Sequence, residues 1–359
     1  MFLYFLSTAG LQGQILKDTA SINLLKRGVD DIYNFKFDKA RIVKDQLNKS
    51  FPGHPVIYLL SGMTTYWENY PLIPSLPAAV SYENDMRTCI RLCEEAHNQN
   101  DHAEYLITNL GARGMLLMYY ADNDLSENVF PLAKSTYRHL RQSFDCTSIY
   151  PDFYFFTGLY NYYREAYPMA HPIYKVLAFL FPKGDIEKGL MELQTAAQNS
   201  IMLRAESLSF LSLININFEN NYQEACVYTK SLHELYPDNL QYLADCVKSM
   251  LLAKKYDEAE TIIRSSDSSI SNSYLLAQYA IFNGIIQEKK YHNYGESNRL
   301  YNKGISDISA FSYYGNEYAA YAYYGLSRLS ETNGEKHASK IYRREANKLG
   351  DFKKLNFDE

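Results

Sequence analysis

The chain has 359 residues, with 36 Lys and Arg against 41 Asp and Glu and a formal net charge of −5. It therefore lacks the basic footprint that nucleic-acid binding requires. Hydrophobic residues make up 47% and charged ones 21%, the balance of a folded protein and not of a disordered one. The length exceeds one ordinary domain and suits either two domains or an array of repeats that each touch only their neighbours.

Residues 1–14, MFLYFLSTAGLQGQ, have a short apolar core followed by the small residues Ala9, Gly10 and Gly13. This pattern resembles the end of a secretory signal, with the positively charged start missing. We read it as an export signal cut before Gln14, which places the protein in a bacterial periplasm or cell envelope. An apolar first helix in a cytoplasmic protein is the alternative. Residues 15–68 hold the first repeats, with Gly28 at a helix crossing, Phe37 to Ala40 at the turn and Pro52 at the close. Gly62 follows Gly28 by 34 residues, so Pro55 to Glu68 is expected as the first helix of a second unit.

Residues 69–200 break that period. Tyr70 to Pro77 is a proline-rich loop, and a helix is expected from about Ser81 to Asn98. Asp101 is a candidate cap for His102 to Tyr120, in which Asn109-Leu110-Gly111 supplies the small crossing residue. Its partner is Glu127 to Gln142. Asp152 to Ala166 is the most aromatic helix, with Gly158 at the crossing and Asp152 a candidate N-cap. Its partner runs from Asp185 to Gln198. An insertion at 167–184, apolar from Val176 to Phe181, lies between the two.

Residues 201–267 carry two regular hairpins, Glu206 to Pro237 and Asn239 to Ser266. Tyr222 and Ala225 in the first recur as Tyr256 and Ala259 in the second, 34 residues on. Pro237 stands twelve residues beyond Ala225, as Pro52 stands twelve beyond Ala40. A small residue lets two helices cross closely, and a proline ends the unit because it cannot continue a helix. Residues 268–350 add Tyr274 to Glu288 with Gly284, a partner from Tyr291 to Ser306, and Ser312 to Leu329 with Gly325. The last helix, ending at Leu349, carries Lys336, Lys340, Arg343, Arg344 and Lys348, the solvated face a terminal repeat needs. Residues 351–359 form a loose tail. The sum is about eight hairpins and no strand.

The 34-residue period with these small, aromatic and proline positions resembles the tetratricopeptide repeat superfamily. The general look is similar to exported repeat proteins of Bacteroidetes-type bacteria. Residues 151–190, with an apolar loop ending in Gly184-Asp185, are similar to the inclusion-body-clearance family. The first resemblance implies an all-α, right-handed α-α superhelix whose concave groove is lined by the first helix of each unit. Carried over, that face holds Tyr33, Leu59, Met63, Tyr66, Trp67, Phe155, Leu159, Tyr162, Tyr163 and Phe210. The Lys and Asn residues with which chaperone-binding members clamp a carboxylate are largely absent from it. Either a partner segment occupies this aromatic groove, or the chain's own helices and insertion fill it.

No nucleotide-binding glycine motif, His-Glu-x-x-His, Cys-x-x-Cys or Gly-x-Ser-x-Gly is present. The five cysteines are scattered, and Cys89 and Cys93 have no common zinc spacing, so they are read as small buried residues. His97 and His102 flank a turn. No catalytic residue, metal site or cofactor is expected. The chain reads as a non-catalytic scaffold for a protein or peptide partner, without nucleic acid. Two other readings stand beside it: a membrane-surface accessory protein using the apolar stretch Tyr174 to Phe181, and a glycan-binding helical protein supported by its 34 tyrosines.

Overall fold

The computed structural model describes residues 14–96, 102–267 and 271–350. The expected export signal, the cap Asp101 and the tail lie outside these residues. The described residues are all-α, with no strand among them. Four helices precede the first gap: α1 (Thr19–Tyr33), α2 (Phe37–Ser50), α3 (Pro55–Glu68) and α4 (Pro77–Glu95). Then come α5 (His102–Asp122), α6 (Ser126–Ser143), α7 (Phe153–Ala170), α8 (Lys175–Ala178) and α9 (Ile186–Asn199). The regular stretch gives α10 (Arg204–Asn217), α11 (Tyr222–Leu235), α12 (Leu240–Leu252) and α13 (Tyr256–Asp267). The chain closes with α14 (Ser273–Lys289), α15 (Tyr294–Ile308), α16 (Tyr313–Thr332) and α17 (Lys336–Leu349).

Several boundaries differ from expectation, two of them by four residues. Helix α4 begins at Pro77 because a proline suits the first helical position, where its missing N–H is not needed. Helix α7 runs on through Pro168 to Ala170, and the insertion then adds the four-residue α8. Among the described residues the helix count is therefore seventeen. Asp152 has no side-chain bond to the start of α7. Its carboxylate instead accepts the backbone N–H groups of Ile201, Met202 and Leu203 at 2.8, 2.7 and 3.1 Å, fixing the entry to α10.

One turn recurs through the chain. Phe35, Asp124, Asn220, Lys254, His292 and Gly334 all have positive φ, between 51° and 79°. Each stands two residues ahead of a helix: α2, α6, α11, α13, α15 and α17. The residue after each donates its N–H to a carbonyl of the preceding helix at 2.8–2.9 Å, as Lys36 does to Asp31 and Lys255 to Met250. Five of the six are not glycine, so most units hold this left-handed residue against its intrinsic preference. The turns at α11 and α15 are followed by Asn221 and Asn293, whose side chains accept from Glu224 N and Glu296 N as N-caps.

The paired helices meet at small residues. A methyl group added at Gly28 would stand 2.8 Å from Val43 Cγ1, and at Gly62 2.6 Å from Met86 Cε. Ala225 and Ala259 are fully buried. Helices α7 and α9 cross with backbone close to backbone: a methyl on Gly189 would lie 2.6 Å from the backbone N of Tyr162 and 2.9 Å from the carbonyl of Gly158. First helices also touch across units, α1 with α3, α3 with α5, α12 with α14 and α14 with α16. The packed interior forms two clusters, and Tyr70 packs against both.

Candidate functional site: an apolar cavity among the first helices

The early and middle units are joined directly. Asn239 Nδ2 donates to the Tyr33 carbonyl at 2.9 Å, Asp238 N to Asn34 Oδ1 at 3.1 Å, and Tyr236 Oη to Asp30 at 3.1 Å. Further along, Tyr314 Oη donates to the Leu72 carbonyl at 3.4 Å and Tyr313 Oη to Asp124 at 2.7 Å. Tyrosine rings fill the space between. Tyr33 lies 5.7 Å from Trp67, 5.5 Å from Tyr236 and 6.1 Å from Tyr242. Trp67 also meets Tyr70 and Tyr242, and Tyr70 meets Tyr274 and Tyr314. Edge-on and offset pairs of this kind each add about 0.5–1.5 kcal/mol beyond the area they bury.

The ten residues expected on the inner face therefore separate into three groups. Tyr33, Tyr66 and Trp67 belong to this tyrosine cluster. Tyr162 and Tyr163 pack on Phe218, with the Tyr162 hydroxyl donating to Glu219. Leu59, Met63, Phe155, Leu159 and Phe210 instead line a common cavity of about 280 Å³.

Helices α3, α5, α7 and α10, with a short arc of α6, build its walls. Helix α3 touches both α1 and α5, but no comparable contact joins α5 to α7 or α7 to α10, and the cavity occupies that interval. Its wall is almost wholly hydrocarbon: Ile107, Leu110 and Met115 on α5, Leu140 on α6, Phe156 on α7 and Met202 before α10. Gly111 and Gly114 notch the α5 side. A methyl on Gly111 would touch Leu59 at 3.4 Å, whereas one on Gly114 would meet nothing within 4 Å. Met118, 40% exposed, marks the outer end.

Glu206, in the first turn of α10, is the only carboxylate in this wall among the described residues. Its Oε1 accepts the Tyr33 hydroxyl, while its buried Oε2 has no hydrogen-bond partner. Burial pushes the carboxyl up to about 7, against the pull of the Tyr33 hydroxyl and a backbone N–H; the charge on Asp152 pushes the same way. Tyr236 and Tyr242 also face it, and their own hydroxyls are raised in part by its charge. No basic side chain is among the groups that act on it.

The other features carry less chemistry. A polar depression on α4 to α6 holds Arg87, Arg91 and Arg113, but these already pair with Glu83, Glu95 and Glu94. The five cysteines are free and buried. Among the described residues no three His, Cys, Asp or Glu side chains gather as a metal site, and no helix is long and apolar enough to cross a membrane.

Fold and cavity together define an all-α protein whose first helices enclose an apolar chamber with a lone acid in its wall. No protein-family model matches the chain, and no curated protein shows significant similarity to it.

Proposed function

We propose that the protein is a right-handed superhelix of tetratricopeptide-like hairpins, acting as a non-catalytic scaffold that takes an apolar anchor of a protein or peptide partner into the inner cavity. The recurrent left-handed turn and the 34-residue spacing support the repeat reading. The observation that carries the function is the cavity itself. Five inner-face positions, Leu59, Met63, Phe155, Leu159 and Phe210, converge on one opening lined by hydrocarbon. Concave apolar sites with few polar groups are where ligands and anchor side chains bind. Gly114→Leu fills this space without a clash at its Cβ. The test is a comparison of partners retained from native-cell extract by the parent protein and by Gly114→Leu. Loss of one or more specific partners supports the scaffold, and identical sets remove the cavity from the account.

A second reading has its own observation. Met169, Ile173, Phe179 and Leu180 are 69, 81, 87 and 74% exposed. No carboxylate falls between Glu165 and Asp185, while Lys175 and Lys183 do. An apolar, basic segment of that kind suits shallow contact with an anionic membrane surface. Its end is held near the cavity, since the Tyr160 hydroxyl donates to the Pro182 carbonyl at 2.6 Å and Phe181 packs on Tyr137 at 4.9 Å. Flotation with vesicles containing phosphatidylserine, repeated with Ile173→Ser and Phe179→Ser together, decides this reading; equal flotation of both proteins refutes it.

A further inference from the structure

The wall of the cavity offers a polar ligand almost nothing. The Thr136 hydroxyl donates to the Leu132 carbonyl at 2.7 Å, and the Tyr160 hydroxyl to the Pro182 carbonyl at 2.6 Å. Glu206 has one oxygen on the Tyr33 hydroxyl and the other buried. A peptide backbone entering here would leave N–H and C=O groups without partners, which is unfavourable. A hydrocarbon chain brings no such groups. At about 30 Å³ for a water-sized group, a cavity of about 280 Å³ holds about nine carbons of a chain.

The rim has a different character. Tyr160 lines the cavity, and the positive charges of Arg141 and Arg164 face its hydroxyl. Arg164 is paired with Glu165 at 3.1 Å, which leaves Arg141. Tyr137 of α6 lies 6.2 Å from Tyr160 and 4.9 Å from Phe181 of the insertion. Phe130, Lys134 and Arg141 stand seven before, three before and four after Tyr137, so they share its face of α6. All three are exposed, Phe130 at 80%. After Glu127, α6 contains no carboxylate. Among the described residues, neither Arg141 nor Lys134, Lys175 or Lys183 has a carboxylate within ion-pair distance. Free cations and exposed apolar side chains beside the mouth of a dry cavity fit a lipid with an anionic headgroup.

We infer that the cavity holds one acyl chain of an anionic membrane lipid, with the chain against Met63, Phe155 and Leu159 and the headgroup at Arg141. This rests on the proposed reading of the cavity as a binding site and names what enters it. Phe130, Ile173 and Phe179 hold the protein at the bilayer that supplies the lipid.

Two measurements on the full chain test this. The first is calorimetric titration with hexyl, octyl, decyl and tetradecyl phosphate, each below its micelle concentration. Affinity should rise about fourfold per methylene up to about nine carbons and little beyond. Octyl phosphate should bind at least tenfold more tightly than octyltrimethylammonium. Arg141→Glu should remove that preference while 1-octanol stays within about twofold. A Leu-Phe-Leu peptide blocked at both ends should bind more weakly than 1-octanol; tighter binding assigns the cavity to a peptide and overturns the lipid. The second measurement is mass spectrometry of lipid extracted from protein re-isolated after incubation with phosphatidylglycerol and phosphatidylcholine vesicles. About one phosphatidylglycerol per chain is expected, and none with Gly114→Leu. Ile173→Ser with Phe179→Ser should slow loading from vesicles and leave octyl phosphate binding unchanged. Affinity independent of chain length, protein re-isolated without lipid, or lipid content unchanged by Gly114→Leu overturns the acyl-chain assignment. If Gly114→Leu still changes the partners retained from cell extract, the cavity reading survives that failure; if it changes neither, both readings fall.

Discussion

Two mid-chain glycines should respond to the same substitution with opposite sign. Replacing a helical glycine by alanine gains up to about 1 kcal/mol from backbone entropy alone. At Gly114 the added methyl meets nothing within 4 Å, so Gly114→Ala should stabilise the protein by about 0.5–1 kcal/mol. At Gly189 the methyl would lie 2.6 Å from Tyr162 N, 2.9 Å from the Gly158 carbonyl and 2.9 Å from Tyr162 Cβ. Two of those atoms are backbone and cannot rotate away. The α7 and α9 helices must part by roughly 0.5–0.8 Å to restore ordinary contact, which loosens the fully buried Tyr162 and Leu193. Overpacking of this kind costs about 1–3 kcal/mol or more. Because rigid atoms clash on two sides, the upper part of that range applies, and the entropy gain offsets only a third of it. Gly189→Ala should therefore destabilise by about 2 kcal/mol net. Urea unfolding followed by circular dichroism measures both. If Gly189→Ala is as stable as the parent, the close α7–α9 crossing is not present.

Stability should also depend on pH through Glu206. Its folded-state value of about 7 lies above the ordinary 4.5, so the folded protein keeps a proton that the unfolded chain releases. That contribution is fully present below about pH 4.5 and is lost as pH rises through 7; it amounts to about 3 kcal/mol. Glu206→Gln should flatten the profile in this window and gain relative stability at pH 8, and an unchanged profile would contradict the burial of this acid. Asn239 does two things at once: it caps α12 through Gln241 N and Tyr242 N, and it donates to the Tyr33 carbonyl. Asn239→Ala should cost about 2–4 kcal/mol, against about 1 for the exposed cap Asn293; equal losses in denaturation would mean that the contact with Tyr33 contributes nothing.

The helices were legible where local chemistry sets them. Pro55 and Glu68 bound α3 as the 34-residue spacing from Gly28 to Gly62 requires. The Tyr-x-x-Ala pairs mark α11 and α13, each just after a left-handed turn residue. Sequence patterns could not tell which inner-face aromatics would meet each other, because that depends on contacts spanning about two hundred residues, such as Tyr33 with Tyr236. An open trough and a closed one have the same local pattern. Glu206 was equally silent, since an acid in the first turn of a helix is ordinary. Gly114 did leave a trace. A second glycine three residues after Gly111 lowers helix propensity without a turn to justify it, and here it forms part of the cavity wall.

The central claim is that the first unit is joined to the middle of the chain, so that the inner face closes around one apolar chamber. Lys36 Nζ and Asp238 Oδ2 stand 3.8 Å apart across that join, both accessible. Zero-length carbodiimide coupling followed by peptide mass spectrometry reads this contact directly. The account predicts a cross-link between the Lys36 and Asp238 peptides. Its absence, in a sample where Lys290, which follows α14, is coupled to Asp257 of α13, would contradict it.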